Sequence, residues 1–155
     1  MSKKFVWIII AILLIGGLGG TFSVKKVRAA TMRGFTLSAN AATGWNGSQP
    51  GPTILVEQGD TVNLVLVSDD AFTHRFFLSY HNSSTAQAGD PQSPDLNSVN
   101  SPLDYSFTAT TTVATYTYYC VFHFTSMFGA FKVVPTGSIP EVPATVVAPL
   151  FMALT

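Results

Sequence analysis

The chain has 155 residues, 47% of them hydrophobic and 10% charged, a balance that excludes a disordered polyelectrolyte. Its formal charge of zero hides a division: six of the eight basic residues lie in the first 33 positions, while all eight acids lie at Glu57 or later. From residue 34 onward two bases face eight acids, or −6, which excludes a nucleic-acid partner for that part; one cysteine excludes an internal disulfide, and three histidines exclude a site needing many imidazoles.

Residues 1–4, with Lys3 and Lys4, read as a cytoplasmic N-terminus. Phe5 to Val24 carries no charge. As a helix at about 1.5 Å per residue it spans about 30 Å, the hydrocarbon thickness of a bilayer. That length favours an uncleaved transmembrane anchor at 5–24 over a signal peptide, whose apolar stretch is shorter. Residues 25–32, with Lys25, Lys26 and Arg28, follow as a tether. Basic residues flank the anchor on both sides, so charge alone does not orient it.

The domain proper is expected over 33–136. No stretch of it keeps a helical period, and short alternating runs predict strands at 33–38, 53–57, 61–67, 72–78, 112–120 and 129–134. In 61–67, Val62, Leu64 and Leu66 share one face. In 72–78, Phe72, His74, Phe76 and Leu78 share a face and Arg75 points away. Gly59-Asp60 marks a tight turn, and Thr, Tyr and Val in 112–120 suit a pleated surface. The pattern predicts an all-β, antiparallel two-sheet sandwich. His81 to Leu103, with Gly89, Pro91, Pro94 and Pro102, reads as a long polar surface loop with room for a helical turn. Asn46-Gly47-Ser48 and Asn82-Ser83-Ser84 fit the glycosylation acceptor pattern. Residues 137–155 form a proline-containing apolar tail, whose last twelve residues are uncharged and too few to span a bilayer. Its Pro140-Glu141-Val142-Pro143 start resembles the C-termini of some archaeal surface proteins.

The residues that carry chemistry are His74 and the run from Cys120 through His123 to Met127. Taken singly, His74 is an ordinary core histidine, Cys120 a small buried hydrophobe and Met127 a core filler. Taken together they are two imidazoles, a thiolate and a thioether, the donors of a trigonal blue-copper site with a long axial bond. Thiolate and thioether stabilise Cu(I), and imidazoles suit Cu(II). Zinc also accepts Cys and His, but it has no redox couple and takes a fourth hard or thiolate ligand. His81, in the polar loop, reads as a surface residue.

The stretch Ala114–His123, followed by Met127–Val133, resembles the C-terminal ligand loop of the cupredoxins, the plastocyanin and pseudoazurin type above all. Pro50–Ile54 and Glu57–Val62 resemble the same family and the related domains of multicopper oxidases. The resemblance covers about residues 33–135 and implies a Greek-key β-sandwich. It implies one type 1 copper ion, with His74, Cys120 and His123 equatorial and Met127 axial. This chain departs from the family in places. Three residues separate His123 from Met127, one fewer than in plastocyanins and one more than in amicyanins. Phe122 stands where plastocyanins have Pro. Arg75 stands where an Asn commonly braces the ligand loop, so Thr73 or Ser126 is expected to supply that brace.

With its copper positions filled by protein, such a site passes electrons and makes or breaks no substrate bond, so no enzyme activity and no small-molecule substrate are expected. The resemblance places electron exit at His123, within an apolar patch formed by Phe122, Phe124 and Phe128. The expected protein is a membrane-anchored, single-pass, extracytoplasmic electron carrier for redox protein partners, whose docking faces are basic given the −6 charge. Two other functions share these residues: copper delivery through the same ligands, and a non-redox surface sandwich.

Overall fold

A computed structural model describes residues 29–140. The expected cytoplasmic N-terminus, the anchor at 5–24, the first half of the tether (25–28) and the tail from residue 141 lie outside the described residues. Among the described residues there is no helix, and so none long and apolar enough to cross a membrane.

Eight strands run in chain order: β1 Met32–Asn40, β2 Gly44–Trp45, β3 Gly51–Glu57, β4 Thr61–Ser68, β5 Phe76–Ser79, β6 Leu103–Thr108, β7 Ala114–Cys120 and β8 Phe128–Val134. They form two four-stranded sheets, ordered β2-β1-β4-β6 and β3-β8-β7-β5. The sheets are mixed rather than antiparallel. β1 runs parallel to β4 and β3 parallel to β8, because the β3–β4 turn sends the chain from one sheet to the other and back beside β1.

Alternation works where one face of a strand meets water. Val62, Leu64 and Leu66 of β4 are buried and their neighbours are only partly so. It fails at 72–78. Phe72 is 59% exposed, and the strand begins only at Phe76, with all four residues of β5 buried. The cause is the long loop expected over His81–Leu103. Its backbone runs along β5, where the Leu78 amide donates to the Pro91 carbonyl at 2.9 Å and Ser93 to Phe76 at 3.0 Å. His74 pairs with Leu96 in an isolated antiparallel bridge. The segment thus covers an otherwise open sheet edge. It contains no helical turn, and at Leu103, its expected end, it gives way to β6, an unpredicted strand.

The core holds Phe76 against Tyr118, Trp45 and Phe107, with ring centroids 5.6, 6.2 and 6.2 Å away. Burying each such side chain contributes about 1.5–3 kcal/mol. Tyr118 lies across Gly129, where a Cβ would sit 2.3 Å from its ring, and donates its hydroxyl to the Pro52 carbonyl at 2.6 Å. A glycine is required there by space alone. This packing ties β3, β7 and β8 together just beneath the loop that leads from β7 to β8.

The strand directions define two poles. Met32, Thr61 and Thr108 are level in one sheet, and Glu57, Val134 and Ala114 lie at the same end of the other. Asp60 organises that pole, accepting from the Thr31 amide, Arg33 Nε and the Glu57 amide at 3.1, 2.8 and 2.8 Å. Glu57 also accepts from the Ile139 amide at 2.7 Å, so the two ends of the domain leave from one pole. The opposite pole holds the ends of β1, β4 and β7 and the starts of β3, β5 and β8.

Candidate metal centre

All four sequence-predicted donors lie at that opposite pole. Cys120 ends β7, paired with Phe76 of β5, and His74 sits two residues before β5. His123 and Met127 lie in the loop that joins β7 to β8. His74, Cys120 and Met127 are fully buried, and His123 is partly exposed. One ligand atom from each of His74, Cys120 and His123 lies within 4.8 Å of the others.

The donor geometry fits a metal ion. Nδ1 of His74 is 3.8 Å from the Cys120 sulfur, and Nδ1 of His123 is 3.6 Å from it. Bonds of about 2.0 Å to imidazole nitrogen and about 2.3 Å to thiolate, typical of a first-row metal such as zinc, need nitrogen–sulfur edges of about 3.5–3.8 Å. The same nitrogen of both rings faces inward.

The loop is fastened from within. The amides of Ser126 and Met127 donate to the His123 carbonyl at 3.1 and 2.8 Å, and the Cys120 amide donates to the Met127 carbonyl at 2.8 Å. Ser126, one of the two residues expected to brace the loop, does so: its hydroxyl donates to the Ala41 carbonyl at 2.7 Å. A second brace had no sequence signal. Asp70 accepts from His74 Nε2 at 2.8 Å, which leaves Nδ1 of that ring free as a ligand.

The electrostatics favour the ligating forms of Cys120 and His123. Burial raises the Cys120 thiol, but the bond with His74 and the amides of Arg75, Phe122 and His123 outweigh it and bring the thiol below its ordinary value. Burial lowers His123, and the neighbouring His74 lowers it further, toward the neutral imidazole a metal needs. For His74, burial lowers its pKa, but Cys120 and Asp70 raise it above the ordinary histidine value. Burial raises Asp70, but the Ala41 amide, His74 and the Phe72 amide bring it below the usual carboxylate range.

The surface around His123 differs in part from expectation. Phe122 and Phe124 are 48% and 44% exposed, as an apolar docking patch requires. Phe128 is half-buried at the start of β8, its ring 6.5 Å from that of Tyr119. Phe72 takes the outward role instead, its ring meeting His123 edge-on at 5.8 Å. Arg75 lies over the Phe122 ring and pairs with Asp95 at 2.6 Å, so one of the two later bases is already matched. His81 is remote from the donors, half exposed, with Nδ1 3.1 Å from Asp90. Asn46, of the first glycosylation pattern, has its carboxamide engaged with β1, accepting from the Ser38 amide and donating to the Thr36 carbonyl.

A two-sheet sandwich with Cys, His and His converging at one pole defines the cupredoxin class. Within it, a sequence profile described as multicopper oxidase matches residues 26–137, and the chain belongs to that family. Among the described residues, His74 and His123 with Cys120 furnish one mononuclear site. Solved structures share the fold. Auracyanin A, a "blue" copper protein from the green thermophilic photosynthetic bacterium Chloroflexus aurantiacus, is 18% identical over 67% of this chain and all of its own, with a TM-score of 0.55. Dithionite-reduced auracyanin from the photosynthetic bacterium Roseiflexus castenholzii is 15% identical over 68% of this chain and all of its own, with a TM-score of 0.51. Rusticyanin from Thiobacillus ferrooxidans is 17% identical over 68% of this chain and 79% of its own, with a TM-score of 0.51. No curated protein sequence matches the chain.

Proposed function

We propose that this protein carries single electrons between redox proteins, using one type 1 copper ion held by His74, Cys120, His123 and Met127. The observation that carries the reading is the convergence of two Nδ1 atoms and one thiolate within 4.8 Å at a closed pole. A copper ion bound there supplies a one-electron couple between its cuprous and cupric states. The thioether and thiolate suit Cu(I), the imidazoles suit Cu(II), and neither zinc nor a hard cation matches this set as well. The residues do the rest. Internal hydrogen bonds fix the ligand loop, so that little rearrangement accompanies a change of charge. Burial of His74, Cys120 and Met127 keeps water and substrates away, which supports a carrier rather than an enzyme.

Electrons leave through His123, the one donor that reaches the surface. Phe72, Phe122 and Phe124 surround it with apolar, weakly directional contact area suited to brief encounters. Excess acid in the domain steers it toward a basic partner face, and association slows as salt rises. The uncharged stretch 5–24 anchors the protein in the cell membrane as a single pass, with residues 1–4 in the cytoplasm and the domain outside. Supporting this placement, β1 starts at the pole remote from the donors and runs nine residues, about 30 Å, toward them. The metal pole then faces away from the bilayer, toward its partners. The test is voltammetry of the copper-loaded full chain: one reversible one-electron wave is expected, and an irreversible wave or none refutes the carrier role.

A further inference from the structure

We propose that Asp70 is a positioning residue that lowers the reduction potential of the metal pole and ties its loops into one frame. The proposal rests on the copper reading above. Asp70 presents an acceptor-only carboxylate to three donors. Oδ1 accepts from His74 Nε2 at 2.8 Å and from the Phe72 amide at 2.9 Å, while Oδ2 accepts from the Ala41 amide at 2.6 Å. The Ala41 carbonyl then accepts the Ser126 hydroxyl at 2.7 Å. A single residue of the β1–β2 turn thus connects the support of His74 to the loop that holds His123 and Met127. Through its amide, Phe72 is held at the rim of the same site, its ring against His123.

The group at position 70 has to be an anion. An asparagine offers one oxygen to three N–H groups and turns its own NH2 toward one of them. The carboxylate also acts on the metal through the ring. It makes His74 a stronger electron donor, and its charge favours the more positive Cu(II) over Cu(I). Only 15% of the Asp70 side chain is exposed, so solvent screens that charge weakly.

The experiment compares potentials of the copper-loaded full chain in four forms: wild type, Asp70→Asn, Asp70→Glu and Ser126→Ala. Asp70→Asn should weaken Cu(II) binding relative to Cu(I) by about tenfold, an upward shift of about 59 mV for one electron. Asp70→Glu keeps the charge and should stay below Asp70→Asn. Ser126→Ala removes the tie but no charge, so it should move the potential less than Asp70→Asn does; an equal or larger shift overturns the role of the charge. An Asp70→Asn potential equal to or below wild type overturns the proposal. Should that variant not fold, the Nε2 proton of His74 in the Cu(I) wild type gives the answer by NMR. Slow exchange supports the bond to Asp70, and exchange as fast as at His123 overturns it. A wild type that stays colourless with Cu(II) refutes the copper reading alone. The frame is then tested in the metal-free protein, where the Ala41 amide should exchange slowly and faster in Asp70→Asn; equal rates overturn it.

Discussion

The two poles of the sandwich use the same device for different ends. At one, Asp60 gathers the Thr31 amide, Arg33 and the Glu57 amide; at the other, Asp70 gathers the Ala41 amide, the Phe72 amide and His74. Each is a nearly buried carboxylate that accepts three N–H groups brought from separate parts of the chain. The partners differ. Arg33 is permanently charged and has no other task, so the Asp60 pole is fixed. His74 has a second nitrogen aimed at a thiolate, so the Asp70 pole is a support connected to chemistry. The contrast teaches that a buried carboxylate is functional or structural according to what its partner does next.

The comparison breaks first on stability. Asp60→Asn leaves the Arg33 charge without its partner at a largely buried site, and should cost about 3 kcal/mol in denaturant unfolding while the copper potential stays at wild type. A shifted potential would mean that the poles are coupled. The pH dependence follows from the same group. Burial raises Asp60, but the bonds from Arg33, Glu57 and Thr31 outweigh it and hold the carboxyl below its ordinary value of 3.8. Its contribution is therefore complete above that value and fades as pH falls through the depressed one. Acid titration of wild type and Asp60→Asn should show the variant less acid-sensitive in this window.

Next comes the packing beneath the ligand loop. Gly129→Ala drives a methyl group into the Tyr118 ring and should cost about 2 kcal/mol by thermal unfolding. Because β8 starts at the loop's end, copper binding should weaken with it. Gly47→Ala, where a Cβ meets nothing within 4 Å but φ is +69°, separates backbone strain from crowding.

Much of the metal pole is legible in the sequence because three donors share one short loop. Cys120, His123 and Met127 need no tertiary knowledge to be grouped, and His74 joins them because so few histidines exist. The strands β1, β3, β4, β7 and β8 are legible for a similar reason, since each has one face to water or a strong β composition. β6 carries a readable alternation of Leu103, Tyr105 and Phe107, but the prolines before it mask the signal. What the sequence hides is contact across distance. Phe77, opposite Phe76 and Leu78 in the alternation, is buried all the same, its ring stacked on that of Tyr119 at 5.3 Å and its backbone bridged to Gln92 along the edge of β5. Asp70 and Ala41 are 29 residues apart, and Ala41 and Ser126 are 85 apart, with nothing in their types to announce a link. Phe72 looked like core because its strand was extended four residues too early.

The smaller effects sharpen the metal pole itself. Met127→Leu removes a weak axial donor while the three strong ones remain, so the colour should persist and the potential rise. A bleached variant would show that Met127 is more than axial. Phe72→Ala should leave stability within about 0.5 kcal/mol, since the side chain is largely exposed. It should slow electron exchange with a redox partner roughly fivefold, about 1 kcal/mol of contact, in stopped-flow mixing.

The most direct measurement of the central claim is the metal content, visible absorption and EPR spectrum of the full chain after Cu(II) loading. One copper per chain, an intense thiolate-to-copper band and a narrow copper hyperfine splitting are expected, all lost in Cys120→Ser. A colourless protein, or a broad tetragonal signal that survives in Cys120→Ser, would contradict it.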